Sequence, residues 1–518
     1  MDWEPEIDEL RRRVELARQM GGPENVERQH KAGRLTVRER IERLLDSGSF
    51  HETGALAGSS TYDGSGGLLS VRPANFVMGT GRINGRRVVV GGDDFTVRGG
   101  ANDASIGGKQ GYSERMAREL RLPLVRLVDG TGGGGSVKTY EMMGRTYVPG
   151  NPTWDVIATA LGEIPVVAAA LGPVAGLGAA RVASSHFSLM VRGISQLFIA
   201  GPPLVKRVGE DVDKETLGGS HIHARESGVV DNEVESEEEA FALIRTFLSY
   251  LPQNVWAMPP RVTPDDDPRR RDGELLGIVP RNRRRPYNVR KLLGHIVDRD
   301  SLFELGPRYG PSLVTALARL DGYAVGVMAN DPMHAGGALT AAGSEKMTRF
   351  VDLCDTFHLP VVNFVDQPGF LIGVAAERAG TVRKGVRALA AIYQATVPWL
   401  TVIVRRVFGV AGAGHANVQA LNLRYAWPSG DWGSLPLEGG IEAAYRRELE
   451  AAPDREKLLR EIEERLNALR SPFRTAEAFN IEEIIDPRDT RPLLTDWVSL
   501  AYENEATRLG VKTRGMRP

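Results

Sequence analysis

Twice in this chain an apolar run enters a turn of small residues. The later stretch is Val404-Arg405-Arg406-Val407-Phe408-Gly409-Val410-Ala411-Gly412-Ala413-Gly414-His415, fed by the β-branched and apolar residues Thr401 to Val404. The earlier one runs from Pro165 through Val174 into Ala175-Gly176-Leu177-Gly178-Ala179-Ala180. A buried strand that ends in such a turn, with a helix behind it, leaves backbone N–H groups pointing into a cleft. Those groups, together with the positive end of the helix dipole, suit a developing oxyanion.

The two stretches belong to a longer echo. Asn84-Gly85 before the valine-rich run Arg87 to Asp93 is a hairpin signal, and Asp321-Gly322 stands before Tyr323 to Val327 in the same way. Leu122-Pro123-Leu124-Val125 returns as Leu359-Pro360-Val361-Val362, and both pairs are offset by 237 positions (85 to 322, 123 to 360). Ile164-Pro165-Val166-Val167 returns as Val397-Pro398-Trp399-Leu400, which sets Gly176 opposite Gly409 at an offset of 233. A near-constant offset across four landmarks argues for internal duplication of a β-β-α unit in an α/β fold, against chance matching of short apolar runs. Two similar halves, each with a glycine turn, point to a pseudo-symmetric protein facing two chemically similar groups.

Length and charge bound the rest. A chain of 518 residues is expected to hold two or more domains. Its 66 acids and 65 bases nearly cancel, so no global field draws it to nucleic acid or a membrane. The single cysteine, Cys354, excludes a disulfide framework and sits in an apolar-periodic stretch as a buried thiol. The acidic start, with no long apolar run behind it, gives neither a signal peptide nor a membrane span, and a reducing cytoplasm is expected. Helices are expected over 6–19 and 35–45, the second opened by a Thr36/Glu39 capping box, with the job of packing against another part of an assembly. Helices are also expected over 109–120 and near 152–162, either side of the strand 124–128. The layout is then a helical segment 1–50, a first domain 51–258, a Pro-rich charged linker 259–286 and a second domain 287–518.

Several stretches resemble one family. They include Gly33-Arg34-Leu35-Thr36-Val37-Arg38-Glu39-Arg40-Ile41, Asp94-Phe95-Thr96-Val97-Arg98-Gly99-Gly100 and Leu217-Gly218-Gly219-Ser220-His221-Ile222-His223. Further on come Ala329-Asn330-Asp331-Pro332-Met333, Ser344-Glu345-Lys346, Phe364-Val365-Asp366-Gln367-Pro368-Gly369-Phe370 and Ile485-Asp486-Pro487-Arg488-Asp489-Thr490-Arg491. Together they are similar to the carboxyltransferase (β) subunit of biotin-dependent acyl-CoA carboxylases, across residues 25 to 495. The resemblance implies two crotonase-like domains of spiral ββα units. It also implies a homo- or hetero-hexamer whose sites lie between the N-domain of one subunit and the C-domain of its neighbour. Its chemistry would move CO2 from carboxybiotin on a carrier protein to the α-carbon of an acyl-CoA through an enolate. Two backbone-amide holes would hold the two oxyanions, so no side-chain nucleophile and no metal is needed. By the resemblance the thioester hole falls on Gly176 and Leu177, helped by Gly178, and the biotin hole on Val410 and Ala411.

The resemblance also shows departures. Leu177 and Val410 stand where the family has a second glycine, and their amides survive only if φ is negative. Gly412, Ala413 and Gly414 replace bulkier residues, which suggests an acyl pocket larger or differently shaped than that for propionyl-CoA. Gly133 and Gly134, in the four-glycine run, are expected to contact CoA or the acyl group, Lys109 and Arg115 the CoA phosphates, and Gly409 and Ala413 the ligand at the second turn. The four-glycine run lacks the Lys-Ser/Thr pair of a phosphate loop, and His221-x-His223 lacks a third metal ligand. Arg281-Asn282-Arg283-Arg284-Arg285 reads as a phosphate-binding patch, a solvated linker or an interface, and 454–470 as a solvated helix. No Ala-Met-Lys-Met biotinylation motif is present, so a biotin carboxylase and a biotin carrier would be partners. A decarboxylase running the reverse direction, and a non-catalytic β subunit of a mixed hexamer, are the alternatives.

Overall fold

The computed structural model describes residues 2–101, 108–130, 140–141, 143–148, 150–151 and 153–518. The chain divides into one unit of Met1–Ala257 with Gly510–Pro518 and another of Met258–Leu509. The expected layout changes in two places. Residues 259–286 pack into the second unit instead of linking: Val262 N–H donates to the Gly322 carbonyl (3.1 Å), Asp266 pairs with Arg270 (2.9 Å), and Leu275 is buried. Their alternating charges read as solvated, but many of them find partners in the fold, among them Arg261 with Asp321 (2.6 Å), Arg271 with Asp489 (2.6 Å) and Arg283 with Asp431 (2.7 Å). The helix Val37–Leu44, expected to dock elsewhere in an assembly, is built into the first unit by Arg40, which is fully buried and reaches Asp129 (2.7 Å) and Glu237 (2.6 Å). Its Thr36/Glu39 capping box is present.

Each unit has one main sheet that contains the hairpin legible in the sequence. In the first, Phe76–Ile83 pairs antiparallel with Arg86–Asp93, closing Ile83 on Arg86 around Asn84-Gly85. Both turn residues have positive φ (50° and 78°), the type I′ turn whose twist matches the strands. Leu124–Val128, Val166–Ala170, Phe187–Val191 and Asn232–Val234 then add in parallel. Parallel neighbours need crossovers, and the helices Lys109–Glu119 and Trp154–Ala160 supply two of them. The strands Leu124–Val128 and Val166–Ala170 are buried at every residue, which is why they read as apolar runs, broken only by Arg126 in the first.

The second unit repeats the plan. Leu313–Leu320 pairs with Tyr323–Asn330 around Asp321-Gly322 (φ 49° and 76°), and Val361–Gln367, Trp399–Phe408 and Leu423–Ala426 follow in parallel. The helices Ala341–Thr356 and Thr381–Gln394 cross between them. Three pairs of non-glycine residues with positive φ lie 237 positions apart: Asn84 and Asp321, Arg98 and Ala335, Arg121 and His358. Left-handed backbone at a residue with a Cβ is uncommon, so three matched pairs are strong support for the duplication.

In the first unit the repeat also starts before the expected boundary at residue 51. Thr36 and Asn288 each cap a helix through the N–H three residues on, at an offset of 252. At that same offset Arg38–Glu52 and Arg290–Glu304 are bidentate ion pairs, and Asp46 and Asp298 each accept both N–H groups of the hairpin turn. The 15 positions between the two offsets are an extra hairpin in the first unit, Gly58–Tyr62 with Leu68–Pro73. Cys354 is buried and free, its thiol pushed up by burial. Arg455–Asn467 is largely solvated and anchored by Ile462 against Ile441 and Leu449.

Candidate active site

Both glycine turns bend at a glycine of positive φ. Gly176 (φ 57°) opens the helix Leu177–Ala183, and Gly409 (φ 62°) opens Gly409–Ala413. At both points the chain turns from extended to helical through the left-handed region, which glycine enters without a Cβ penalty. Leu177 and Val410 are not among the residues with positive φ, so replacing the family's glycine strains neither. The Gly176 N–H donates to the Phe198 carbonyl (3.1 Å), extending the ladder between Pro173–Ala175 and Gln196–Phe198. Gly176 therefore supplies the bend and not an oxyanion donor, a correction to the sequence reading. Leu177, Gly178 and Ala179 carry the first-turn amides, and Gly409, Val410 and Ala411 do so in the second unit, where helix geometry provides no intrahelical acceptor.

The small residues of the second turn divide by role. A Cβ on Gly412 would lie 2.9 Å from the Val407 carbonyl carbon, and one on Gly414 2.2 Å from Leu389 Cδ2. Packing against backbone therefore requires a glycine at 412, whereas a Cβ at 414 would meet the movable end of the Leu389 side chain. Ala413 is exposed, and Val410 is 63% exposed beside buried Ala411.

Polar side chains pin each turn from the neighbouring strand. Arg126 lies in the otherwise apolar strand Leu124–Val128, fully buried, with Glu114 across a bidentate pair (2.8 and 2.7 Å). Its Nη1 donates to the carbonyls of Arg181 (2.9 Å) and Ser184, at the end of the Leu177–Ala183 helix. Arg181 faces Asp93 (3.6 Å), and burial pushes this guanidinium below its usual range while it pushes the Asp93 carboxyl up. At the matching position, offset by 237, Asn363 donates to the His415 carbonyl (2.9 Å), which also accepts from Trp399 Nε1 (3.1 Å) and Thr401 Oγ1 (3.2 Å). One strand position thus holds the far end of the glycine-turn helix in each unit. A lone charge inside an apolar run was the signal for Arg126; nothing in the sequence marks Asn363.

A buried aspartate sits at the end of the same two strands. Asp129 and Asp366, again 237 apart, are each paired with two arginines, but the arginines come from different places. Asp129 takes Arg34 (3.1 Å) and Arg40 (2.7 Å) from the N-terminal region, whereas Asp366 takes Arg405 (2.8 Å) and Arg406 (2.6 Å) from Trp399–Phe408. Gly172 explains the exchange. It stands opposite Arg405 at the 233 offset, and a Cβ there would lie 2.0 Å from Asp129 Oδ1 and 2.7 Å from Arg34 Nη1.

Other candidates fall out differently. Gly133 and Gly134 lie outside the described residues. Lys109 Nζ donates to the Gly54 carbonyl (2.9 Å), and burial lowers its pKa. Arg115 is exposed. His223 faces the Leu197 carbonyl (2.8 Å) and Ser227 Oγ (3.1 Å), so its ring is engaged locally. Among the described residues no group of three or more His, Cys, Asp or Glu is placed to hold a metal ion, and no helix is long and apolar enough to cross a membrane.

A family model described as the carboxyl transferase domain matches residues 28–516. The chain belongs to that family. It is 36% identical over 494 residues to the propionyl-CoA carboxylase carboxyltransferase subunit of Haloferax mediterranei, covering 95% of each chain. It is 31% identical over 504 residues to the methylmalonyl-CoA decarboxylase subunit alpha of Veillonella parvula, covering 97% of each. A solved transcarboxylase 12S, described as a hexamer with methylmalonyl-coenzyme A bound, superposes with a TM-score of 0.86 at 32% identity, over 100% of this chain and 97% of that one. The protein is thus a carboxyltransferase subunit, an enzyme, and its duplicated ββα halves are crotonase-like.

Proposed function

We propose that this carboxyltransferase moves a carboxyl group from carboxybiotin, borne by a separate carrier protein, to the α-carbon of a short acyl-CoA of the propionyl class. The observation that carries this reading is the matched pair of glycine turns, φ 57° at Gly176 and 62° at Gly409, each opening a short helix at a strand end. In the first unit the amides of Leu177 and Gly178 receive the thioester oxygen as the substrate becomes an enolate. In the second unit the amides of Val410 and Ala411 receive the biotin ureido oxygen, while Gly409 and Ala413 border the ligand. Carboxybiotin supplies the CO2 and, once decarboxylated, a basic ureido nitrogen for the α-proton. Each hole contributes roughly 3–4 kcal/mol of transition-state stabilisation if it behaves as single donors do elsewhere. The biotin carboxylase and carrier partners, and a hexamer like that of the transcarboxylase 12S relative, belong to the same reading.

The test is product analysis over a panel of acyl-CoA thioesters with charged carrier. Carboxylation of acetyl- to butyryl-CoA, strongest with propionyl-CoA, is expected; carboxylation of none of them overturns the proposal. The likeness to a methylmalonyl-CoA decarboxylase subunit favours a second reading, transfer from a malonyl-type CoA onto biotin. Net flux measured with charged and with uncharged carrier separates the two. The non-catalytic reading loses its motive, because Leu177 and Val410 keep ordinary backbone.

A further inference from the structure

Five arginines of the second unit surround one cavity that the carboxyl-transfer reading leaves unused. The cavity, about 520 Å³, is lined by Arg283, Arg284, Arg405, Arg406 and Arg470 with a single carboxylate, Asp431. Pro332, Pro368 and Phe408 complete its wall, and they stand at the carboxyl ends of Tyr323–Asn330, Val361–Gln367 and Trp399–Phe408. Open α/β sheets take their ligands at that edge.

Charge is unbalanced there. Asp431 serves both Arg283 (2.7 Å) and Arg470 (Nε to Oδ1, 3.0 Å), and Asp366 serves both Arg405 and Arg406. Two carboxylates face four guanidiniums, and the Arg284 side chain has no ion-pair partner among the described residues. Arg405, nearly fully buried, also donates to the Arg285 carbonyl (2.9 Å), which ties the arginine run to the strand end and keeps Arg283 and Arg284 at the rim. Clustered guanidiniums held without enough counter-charge repel one another, and their planar forks match the oxygens of a phosphate.

We infer that this cavity binds a phosphate-type oxyanion, gripped by Arg283, Arg284 and Arg470. The anion could be free phosphate or a phosphate of a coenzyme A-type nucleotide. Binding is read without turnover, so the inference stands or falls apart from the proposed reaction. Isothermal titration of the full chain with inorganic phosphate and with adenosine 3′,5′-bisphosphate, at low and moderate salt, tests it. Saturable binding that weakens with salt is expected. Arg284→Gln should weaken it about tenfold, and Arg283→Gln with Arg284→Gln more, as charge-assisted hydrogen bonds are lost. Asp431→Asn should tighten it, since two guanidiniums are released from a competing carboxylate. Tighter binding of the bisphosphate identifies the nucleotide as source, and equal or tighter binding of phosphate identifies the free anion. The inference is overturned if the wild-type chain binds neither, or if arginine variants with unchanged melting temperature bind as the wild type does.

Discussion

Gly409→Ala separates the backbone of the second turn from its packing. Among the described residues, a Cβ at Gly409 would find only the Ser434 carbonyl oxygen, at 3.6 Å, an ordinary contact. The penalty is conformational: φ of 62° costs an L-residue about 1–2 kcal/mol. For a unit of this size that corresponds to a melting temperature lower by roughly 2–8 °C. The residue can escape the strain by rotating to negative φ, and doing so swings the amides of Val410 and Ala411 away from their present direction. If those amides hold an oxyanion, kcat should fall about 10²- to 10³-fold. KM for acyl-CoA should hold steady, because the thioester is assigned to the other turn. Steady-state carboxylation with saturating charged carrier, beside a thermal melt, reads both effects. Gly412→Ala is the contrast: its Cβ would sit 2.9 Å from the Val407 carbonyl carbon, so melting should suffer more than for Gly409→Ala. A folded Gly409→Ala enzyme with kcat within threefold of wild type would refute the assignment of this turn.

Three further outcomes are expected. Arg126→Met leaves Glu114 buried without its partner and frees the end of the Leu177–Ala183 helix, so stability should drop by about 3–5 kcal/mol in chemical denaturation, and an unchanged midpoint would contradict the pinning role. Asp298→Ala should cost well over the roughly 1–3 kcal/mol expected for the more exposed Asp46→Ala, because Asp298 also holds buried Arg491 (2.8 Å); equal losses would contradict that. Burial holds the His415 imidazole below its usual pKa, with Nδ1 donating to the Gly412 carbonyl (2.8 Å) and Nε2 without a partner among the described residues. The unfolded chain therefore takes up this proton first, and stability should fall as pH drops below about 6.5. His415→Gln should flatten the slope of melting temperature against pH between 6.5 and 5, and an unchanged slope would exclude His415 as a source.

Much of this was legible where local chemistry decides structure. Asn84-Gly85 and Asp321-Gly322 announced their hairpins because only a type I′ turn uses both residues well, and Gly176 and Gly409 announced their bends through the apolar runs before them. The start of the repeat was hidden by the 15-residue hairpin inserted between Glu52 and Phe76, which shifts the offset from 237 to 252. Aligned across that shift, Thr36-Val37-Arg38 and Asn288-Val289-Arg290 match plainly. The strap at 259–286 was misread because charge alternation looks the same whether water or an opposing side chain answers it. Long-range pairing hid the rest. Asp129 and Asp366 share a role, yet their arginines lie at 34 and 40 in one unit and at 405 and 406 in the other. The Gly176 amide was misassigned for a related reason, since its acceptor, Phe198, is on a strand no local pattern connects to it.

Passage of a carboxyl group between a biotin carrier and the α-carbon of an acyl-CoA is the activity proposed for this chain. Its most direct test is a single turnover with a carrier bearing ¹³C-carboxybiotin and unlabelled propionyl-CoA, followed by mass spectrometry of both. Label is expected to leave the carrier and appear in methylmalonyl-CoA at the same rate, and only when the chain is present. A carrier that discharges no faster with the chain than without it, and no label in the thioester, would contradict it.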